Sequence, residues 1–237
     1  MIKKAMILAA GFGKRIRPLT NDCPKPLLKI GKETLLSNTI KFLSSFGVKE
    51  VVINVHYLGE QIIDYIKRNE FNLEIKIIRE NEKILDTGGG VLNAIQYFSN
   101  APFIIINPDT IWNSNYLGEL ELMKNKFINS KKEKCILLLV NKSKSFDKTL
   151  RGDFNLKKDK VDRNNNNKDN LNYIYTGLQI IKPEIFASFD LKIFSINKIW
   201  TQLIENDELH GVESKLDFLH VSTIDVYNNL KKKLNFK

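Results

Sequence analysis

The residues best equipped for chemistry stand near the start of the chain, in Leu8-Ala-Ala-Gly-Phe-Gly-Lys-Arg-Ile-Arg-Pro-Leu-Thr20, with Cys23-Pro-Lys-Pro-Leu27 close behind. Glycines that directly follow a strand let backbone N–H groups approach phosphate oxygens, and Lys14, Arg15 and Arg17 add positive charge to the same turn. Pro24 and Pro26 bracket Lys25 and remove backbone freedom around it, so its ammonium is held in one place. Two familiar phosphate loops do not fit. The P-loop needs Ser or Thr after its Gly-Lys pair, and Arg15 stands there. The dinucleotide fingerprint needs a third glycine where Ile16 stands, and an acid ending the second strand where Val55-His56 stands. A tight strand-to-loop turn without a ligand accounts for the glycines but not for the four basic residues around them.

A second candidate is Asp109, in Asn107-Pro-Asp109. A lone carboxylate just beyond a buried apolar strand, in a basic cleft, suits a hard divalent cation. Taken alone it reads better as an acid on a surface turn. His56 and His210 show no partner spacing and read as structural. Nothing resembles a Ser–His–Asp or Cys–His nucleophile arrangement, which fits direct group transfer, a reaction that needs no enzyme nucleophile. Cys23 and Cys135 are too few and too far apart for a disulfide framework or a metal knuckle. Both read as small apolar fillers, although Cys23 lies in the basic loop and could be reactive there.

These residues need elements to position them. The short apolar run Lys4–Ala10 ends at glycines, as a buried parallel strand does. Thr34–Phe46 carries Leu36, Ile40 and Leu43 at helical spacing and stops at Gly47. Strand signals at Glu50–His56, Leu73–Ile78, Pro102–Asn107 and Lys134–Val140 alternate with helical ones at Leu58–Arg68, Gly88–Phe98 and Asn115–Ile128. This order predicts an α/β fold with a doubly wound, mostly parallel sheet and helices on both faces. Ligands bind such sheets at the carboxyl ends of the strands, so Gly11–Pro26, the stretch to Thr87–Gly90 and Pro108–Thr110 are expected to converge on one site. After about residue 141 the pattern changes. Arg151–Leu156 and Tyr173–Ile181 read as strands around a low-complexity tip at Asn164–Asn167, and Phe194–Glu205 and Ile224–Leu234 as helices flanking a short strand at Phe218–Val221. The whole chain is expected to be one domain, with residues 1–141 the nucleotide-binding core and 142–237 an acceptor or lid part packed on the sheet.

Composition narrows the class further. Hydrophobic residues make up 43% and charged residues 27% of 237, as in an ordinary globular protein. The start, Met1-Ile-Lys-Lys before Ala5–Ala10, imitates a secretory leader, but its apolar part is too short and runs into the basic loop. No apolar run approaches the roughly 20 residues of a membrane span, and a cytoplasmic location is expected. The net charge of +10 comes from scattered lysines, clustered only at Lys131–Lys134 and Lys231–Lys233 without interleaved aromatics, so no nucleic-acid partner is expected. Positive potential also steers polyphosphates.

The segment Ala9-Ala-Gly-Phe-Gly-Lys-Arg15, followed by Pro18-Leu-Thr20 and Pro24-Lys-Pro26, resembles the signature of the sugar-1-phosphate nucleotidyltransferases, with order and spacing intact. The resemblance extends over essentially the whole chain. Asp86-Thr-Gly-Gly-Gly90, Asn107-Pro-Asp109, Arg151-Gly-Asp-Phe154 and Thr176-Gly177 are similar to the short N-acetylmuramate α-1-phosphate uridylyltransferases of that family, which lack the C-terminal β-helix of longer relatives. The resemblance implies a Rossmann-like fold in which Leu8, Ala10, Gly11, Gly13 and Lys14 lie along the nucleotide and Arg15 on its triphosphate. It places Lys25 at the reaction centre, Gly88 and Gly89 near base and ribose, Asn107, Asp153 and Gly177 at the sugar, and Mg²⁺ on Asp109. The implied reaction joins UTP to N-acetylmuramate 1-phosphate and releases pyrophosphate, giving a nucleotide sugar for cell-wall recycling. GTP with mannose or heptose 1-phosphate is the alternative. A monomer or small homo-oligomer is expected.

One position departs from the family pattern. Its C-terminal strand often ends in an Asp-Val-Gly-Thr-like segment whose Asp is a second Mg²⁺ ligand. Here Leu219-His-Val-Ser-Thr223 puts His220 at that Asp and Ser222 at the Gly. Imidazole is a poorer partner than carboxylate for Mg²⁺, and Mn²⁺ tolerates it better. His220 therefore reads as a metal ligand, a cation for phosphate, or a buried structural histidine. Asp217 cannot replace it, because three residues along a strand point to the opposite face. These departures also admit a catalytically weakened regulator that binds a nucleotide sugar.

Overall fold

The computed structural model describes residues 2–235 except 81, 131, 164–170 and 191. The expected tip at Asn164–Asn167 lies outside the described residues. From the N-terminus, β1 (Lys4–Leu8) leads through the basic loop and a small ribbon of β2 (Lys29–Ile30) and β3 (Glu33–Thr34) into α1 (Leu35–Phe46). The alternation continues with β4 (Glu50–Val55), α2 (Gly59–Arg68), β5 (Glu74–Arg79), α3 (Asp86–Ala94), β6 (Phe103–Ile106), α4 (Tyr116–Asn129) and β7 (Cys135–Asn141). Then come the hairpin of β8 (Asn155–Lys157) and β9 (Lys160–Asp162), followed by β10 (Tyr173–Ile181), α5 (Asn197–Glu205), β11 (Leu209–Ser214) and α6 (Ile224–Asn235).

Local chemistry sets these boundaries. Thr34 caps α1 in a reciprocal box, its side chain accepting from the Ser37 N–H at 3.0 Å while the Ser37 hydroxyl accepts from the Thr34 N–H. Gly47 ends that helix in the left-handed region at φ 93°.

The main sheet has the order β5-β4-β1-β6-β10-β7-β11-β9-β8. Its first part is parallel: β1 pairs with β4 and β6, and β4 with β5. The chain steps outward from β1 to β4 and β5, then returns to the other side of β1 as β6. Strand order thus reverses between β1 and β6, and a crevice opens there at their carboxyl ends.

The sheet is apolar on both faces. Ala5, Ile7, Ile53 and Ile104 face Leu36, Ile40, Ile62 and Met123 of α1, α2 and α4. Met6, Val52, Ile105 and Leu137 face Val91, Ala94, Trp200 and Leu203 of α3 and α5. Burial on both sides is why these strands read as continuous apolar runs.

Two features correct the sequence reading. β10 lies in the middle of the sheet, antiparallel to both β6 and β7, with Leu178 opposite Ile106 and Ile180 opposite Ile136. The second half of the chain is therefore woven into the sheet, not packed on it as a separate part. Phe218–Val221 is not a full strand: it makes single bridges, Phe218 to Ser145 and His220 to Thr110. The strand in this region is β11, parallel to β7, whose His210, Gly211 and Glu213 interrupt the apolar pattern. Among the described residues, no helix is long and apolar enough to cross a membrane.

Candidate active site

The three segments do converge. A cavity of about 390 Å³ sits over the crevice between β1 and β6. Leu8, Ala10, Gly11, Gly13, Lys14, Arg15 and Lys25 line it from β1 and the loop that follows, and Asn107 and Asp109 line it from just beyond β6.

The basic loop is shaped by Gly13, which sits at φ +63°. Its carbonyl accepts from the Ile16 N–H and from the Thr20 hydroxyl, both at 2.9 Å, closing a 3-10 turn over Lys14–Ile16. An added Cβ would come within 3.0 Å of Thr20, so only glycine closes this turn without displacement. Tyr57 Oη donates to the Thr20 carbonyl at 2.9 Å and anchors the loop from the β4 side. Lys14 and Arg15 are exposed at the rim, with Lys14 Nζ 5.2 Å from the Phe12 ring centroid.

Lys25, by contrast, points inward. Its Nζ lies 2.5 Å from Asp109 Oδ2, and His220 Nε2 lies 3.2 Å from the same oxygen. The side chains of Lys25, Asp109 and His220 are 14%, 19% and 15% exposed, so the three groups sit largely out of water. The backbone holds them together: Val221 N–H donates to the Asp109 carbonyl at 2.8 Å, and Ile111 N–H to the Leu219 carbonyl at 2.9 Å. Burial opposes ionisation of Asp109, but Lys25 and then His220 outweigh it and hold the carboxyl far below the usual carboxylate range.

Asp109 Oδ1 is buried and makes no hydrogen bond with the described residues, and the same is true of His220 Nδ1. A free carboxylate oxygen beside an imidazole suits a divalent cation that draws its remaining ligands from phosphates and water. Among the described residues, no group of three or more His, Cys, Asp or Glu forms a self-sufficient metal cage.

The other expected residues fall in two groups. Gly177, at φ +92°, lies against Asn107, and its carbonyl accepts the Asn107 N–H at 2.8 Å. The chain bulges here, between Tyr175 and Gln179 of β10. Asp153 flanks the bulge, its Oδ2 accepting from the Tyr175 N–H at 2.9 Å. Gly88 and Gly89 lie away from the cavity wall: both donate their N–H to the Phe194 carbonyl, at 2.9 and 3.0 Å. The close approach that these glycines permit is made by residues 192–194, while Asp86 and Thr87 line the cavity.

Sequence reasoning missed several contributors. Asn54 and Glu80 line the cavity and are 3% and 4% exposed. Asn54 accepts from the Ala9 N–H at 2.9 Å and donates to Glu80 Oε1 at 2.7 Å, while Glu80 Oε2 accepts from the Leu85 N–H at 2.7 Å. This network ties the ends of β1, β4 and β5 together. Its signal was Asn54 itself, a polar residue inside an apolar strand. Ser222, which also lines the cavity, donates to buried Asp147, which Thr149 caps at 2.7 and 2.9 Å. His56 pairs through Nδ1 with the Glu80 carbonyl at 2.5 Å, and His210 faces Glu133 at 3.8 Å. Both cysteines are free thiols; burial raises the pKa of Cys23, and that of Cys135 well above its usual value.

Residues 4–146 match the family described as nucleotidyl transferase. The chain belongs to that family. It is 30% identical over 223 residues to N-acetylmuramate alpha-1-phosphate uridylyltransferase of Caulobacter vibrioides, spanning 92% of this chain and 91% of that protein. It is 29% identical over 209 residues to mannose-1-phosphate guanylyltransferase 1 of Arabidopsis thaliana, spanning 82% of this chain and 54% of that protein. The fold is shared with the solved structure of a UDP-glucose pyrophosphorylase complexed with UDP-glucose, at a TM-score of 0.79 and 16% identity over 100% of this chain and 99% of that one. Within the family, the chain is a sugar-1-phosphate nucleotidyltransferase.

Proposed function

We propose that this nucleotidyltransferase joins UTP to N-acetylmuramate 1-phosphate in the cytoplasm. The observation that carries the reading is the Lys25–Asp109–His220 cluster at the β1–β6 crevice, facing a glycine-rich basic loop. The choice of substrates is supported by the match to the uridylyltransferase, which spans nearly all of both chains.

In this reaction a phosphate oxygen of the sugar 1-phosphate attacks the α-phosphorus of UTP. A new P–O bond forms as the bond to the β-phosphate breaks, and the electron pair leaves with pyrophosphate. No enzyme nucleophile is needed, so catalysis consists of alignment and charge neutralisation. Gly11, Gly13 and Lys14 cradle the nucleotide, Arg15 meets its triphosphate, and Lys25 neutralises charge at the reacting phosphates. Asn107, Asp153 and the bulge at Gly177 border the acceptor. Asp109 Oδ1, with His220 beside it, would hold Mg²⁺ or Mn²⁺. Bound there, the cation neutralises phosphate charge.

The test is a matrix of four nucleoside triphosphates against a panel of sugar 1-phosphates, read as pyrophosphate. The largest rate is expected with UTP and N-acetylmuramate 1-phosphate. Dominance of GTP with mannose 1-phosphate would overturn the substrate assignment, and silence across the matrix would favour a regulator that only binds.

A further inference from the structure

A cation beyond the reaction centre has no role in the chemistry above. The guanidinium of Arg163 lies 4.4 Å from the ring centroid of Phe154 and 5.6 Å from that of Trp200. These rings pack edge to face, and both are buried, at 0% and 4% exposure. Arg163 Nη2 donates to Asn197 Oδ1 at 2.5 Å. Two aromatic faces and one hydrogen bond fix the plane of the guanidinium, unlike a surface arginine that samples many rotamers. Burial lowers its pKa, and Asp153 partly offsets this. Among the described residues, no carboxylate comes within ion-pair distance of Arg163. Asp153 spends one oxygen on the Tyr175 N–H instead. The guanidinium is thus oriented, partly desolvated and lacks a direct anionic partner among these residues.

Its position gives it a use. Tyr175 packs on the same Trp200 ring at 4.8 Å, and two residues further along β10 Gly177 meets Asn107. Asp153 interacts electrostatically with both Arg163 and His220, which puts Arg163 toward the proposed acceptor side of the site. The acceptor phosphate must reach Lys25, so an anion met by Arg163 belongs elsewhere on the sugar. A guanidinium with one edge held by the protein presents its other edge to a carboxylate in a two-point geometry. We infer that Arg163 is a specificity-determining residue that selects a sugar 1-phosphate bearing a carboxylate. The inference rests on the nucleotidyl-transfer reading of the adjacent site.

The experiment compares kcat/KM of the full chain, at saturating UTP, for N-acetylmuramate 1-phosphate and N-acetylglucosamine 1-phosphate, which differ by the ether that carries the carboxylate. The wild type is expected to favour the carboxylated acceptor by about 30-fold, or about 2 kcal/mol. In Arg163→Gln that ratio should collapse toward parity, chiefly through the acceptor KM. Arg163→Lys retains the stem and charge without the fork, and should fall between. A wild type without the preference overturns the inference, as does an equal loss on both acceptors or an unchanged ratio in either variant. In each of those cases pyrophosphate release leaves the nucleotidyl-transfer reading standing. Absence of release with both acceptors would overturn that reading as well.

Discussion

Replacing Gly177 with alanine tests the geometry that joins the acceptor side to the reaction centre. The residue sits at φ +92°, and a Cβ there would lie 2.9 Å from Asn107 Cβ, closer than two carbons pack. Left-handed backbone costs a non-glycine residue about 1–2 kcal/mol, and forcing a methyl into a filled space adds about 1–3 kcal/mol. The expected loss is about 2–5 kcal/mol, which for a chain of this size lowers Tm by roughly 4–20 °C. Gly31 separates the two contributions. It has φ +63° but nothing within 4 Å of its added Cβ, so Gly31→Ala should lose only the backbone part. Relief of the Gly177→Ala clash must move Asn107, whose backbone leads to Asp109 two residues later. A misplacement of about 1 Å costs on the order of 100-fold in rate. Calorimetry and pyrophosphate release on both variants make the comparison. If Gly177→Ala melts no lower than Gly31→Ala, or turns over like wild type, the reasoning from this contact is refuted.

Lys25→Ala should lower kcat by about 100- to 1,000-fold, the loss of one preorganised electrostatic partner at developing charge, with the far-UV spectrum unchanged. Pyrophosphate release near the wild-type rate would sink the assignment of Lys25. Away from the site, Lys132 at 2.6 Å and Lys160 at 3.0 Å pull the Asp207 carboxyl down to about 2. A folded value below the unfolded one means that this contribution to stability is present above about pH 4 and fades as pH falls toward 2. The urea midpoint of Asp207→Asn should drop less between pH 5 and pH 2 than that of the wild type. Equal drops would show that the carboxyl titrates the same way in both states.

Strands buried on both faces and a loop dense in glycine, proline and positive charge were legible because each obeys a local rule. β1, β4, β6 and β7 came from apolar runs, and the convergence of three loops followed from strand order alone. The direction of β10 was not legible, because a strand apolar on both faces reads alike whichever way it runs. β11 was hidden by His210, Gly211 and Glu213. His220 was visible as a departure from a pattern, but its contact with Asp109 depends on backbone bridges between distant segments. The glycines at 88 and 89 show a further limit. A sequence can announce that something must come close without saying what, and here it is residues 192–194.

The antiparallel strand wedged between β6 and β7 also has a consequence for how the enzyme comes into being. Neither of those strands has its inner neighbour until β10 has been synthesised, so the middle of the sheet closes late, through contacts far apart in sequence. The segment that brings His220 to Asp109 emerges later still. A nascent chain can assemble β1, β4 and β5 around the phosphate loop early. On the proposed reading, the reaction centre is incomplete until residues 219–221 have also emerged, so activity reports the late contacts as well as the early ones.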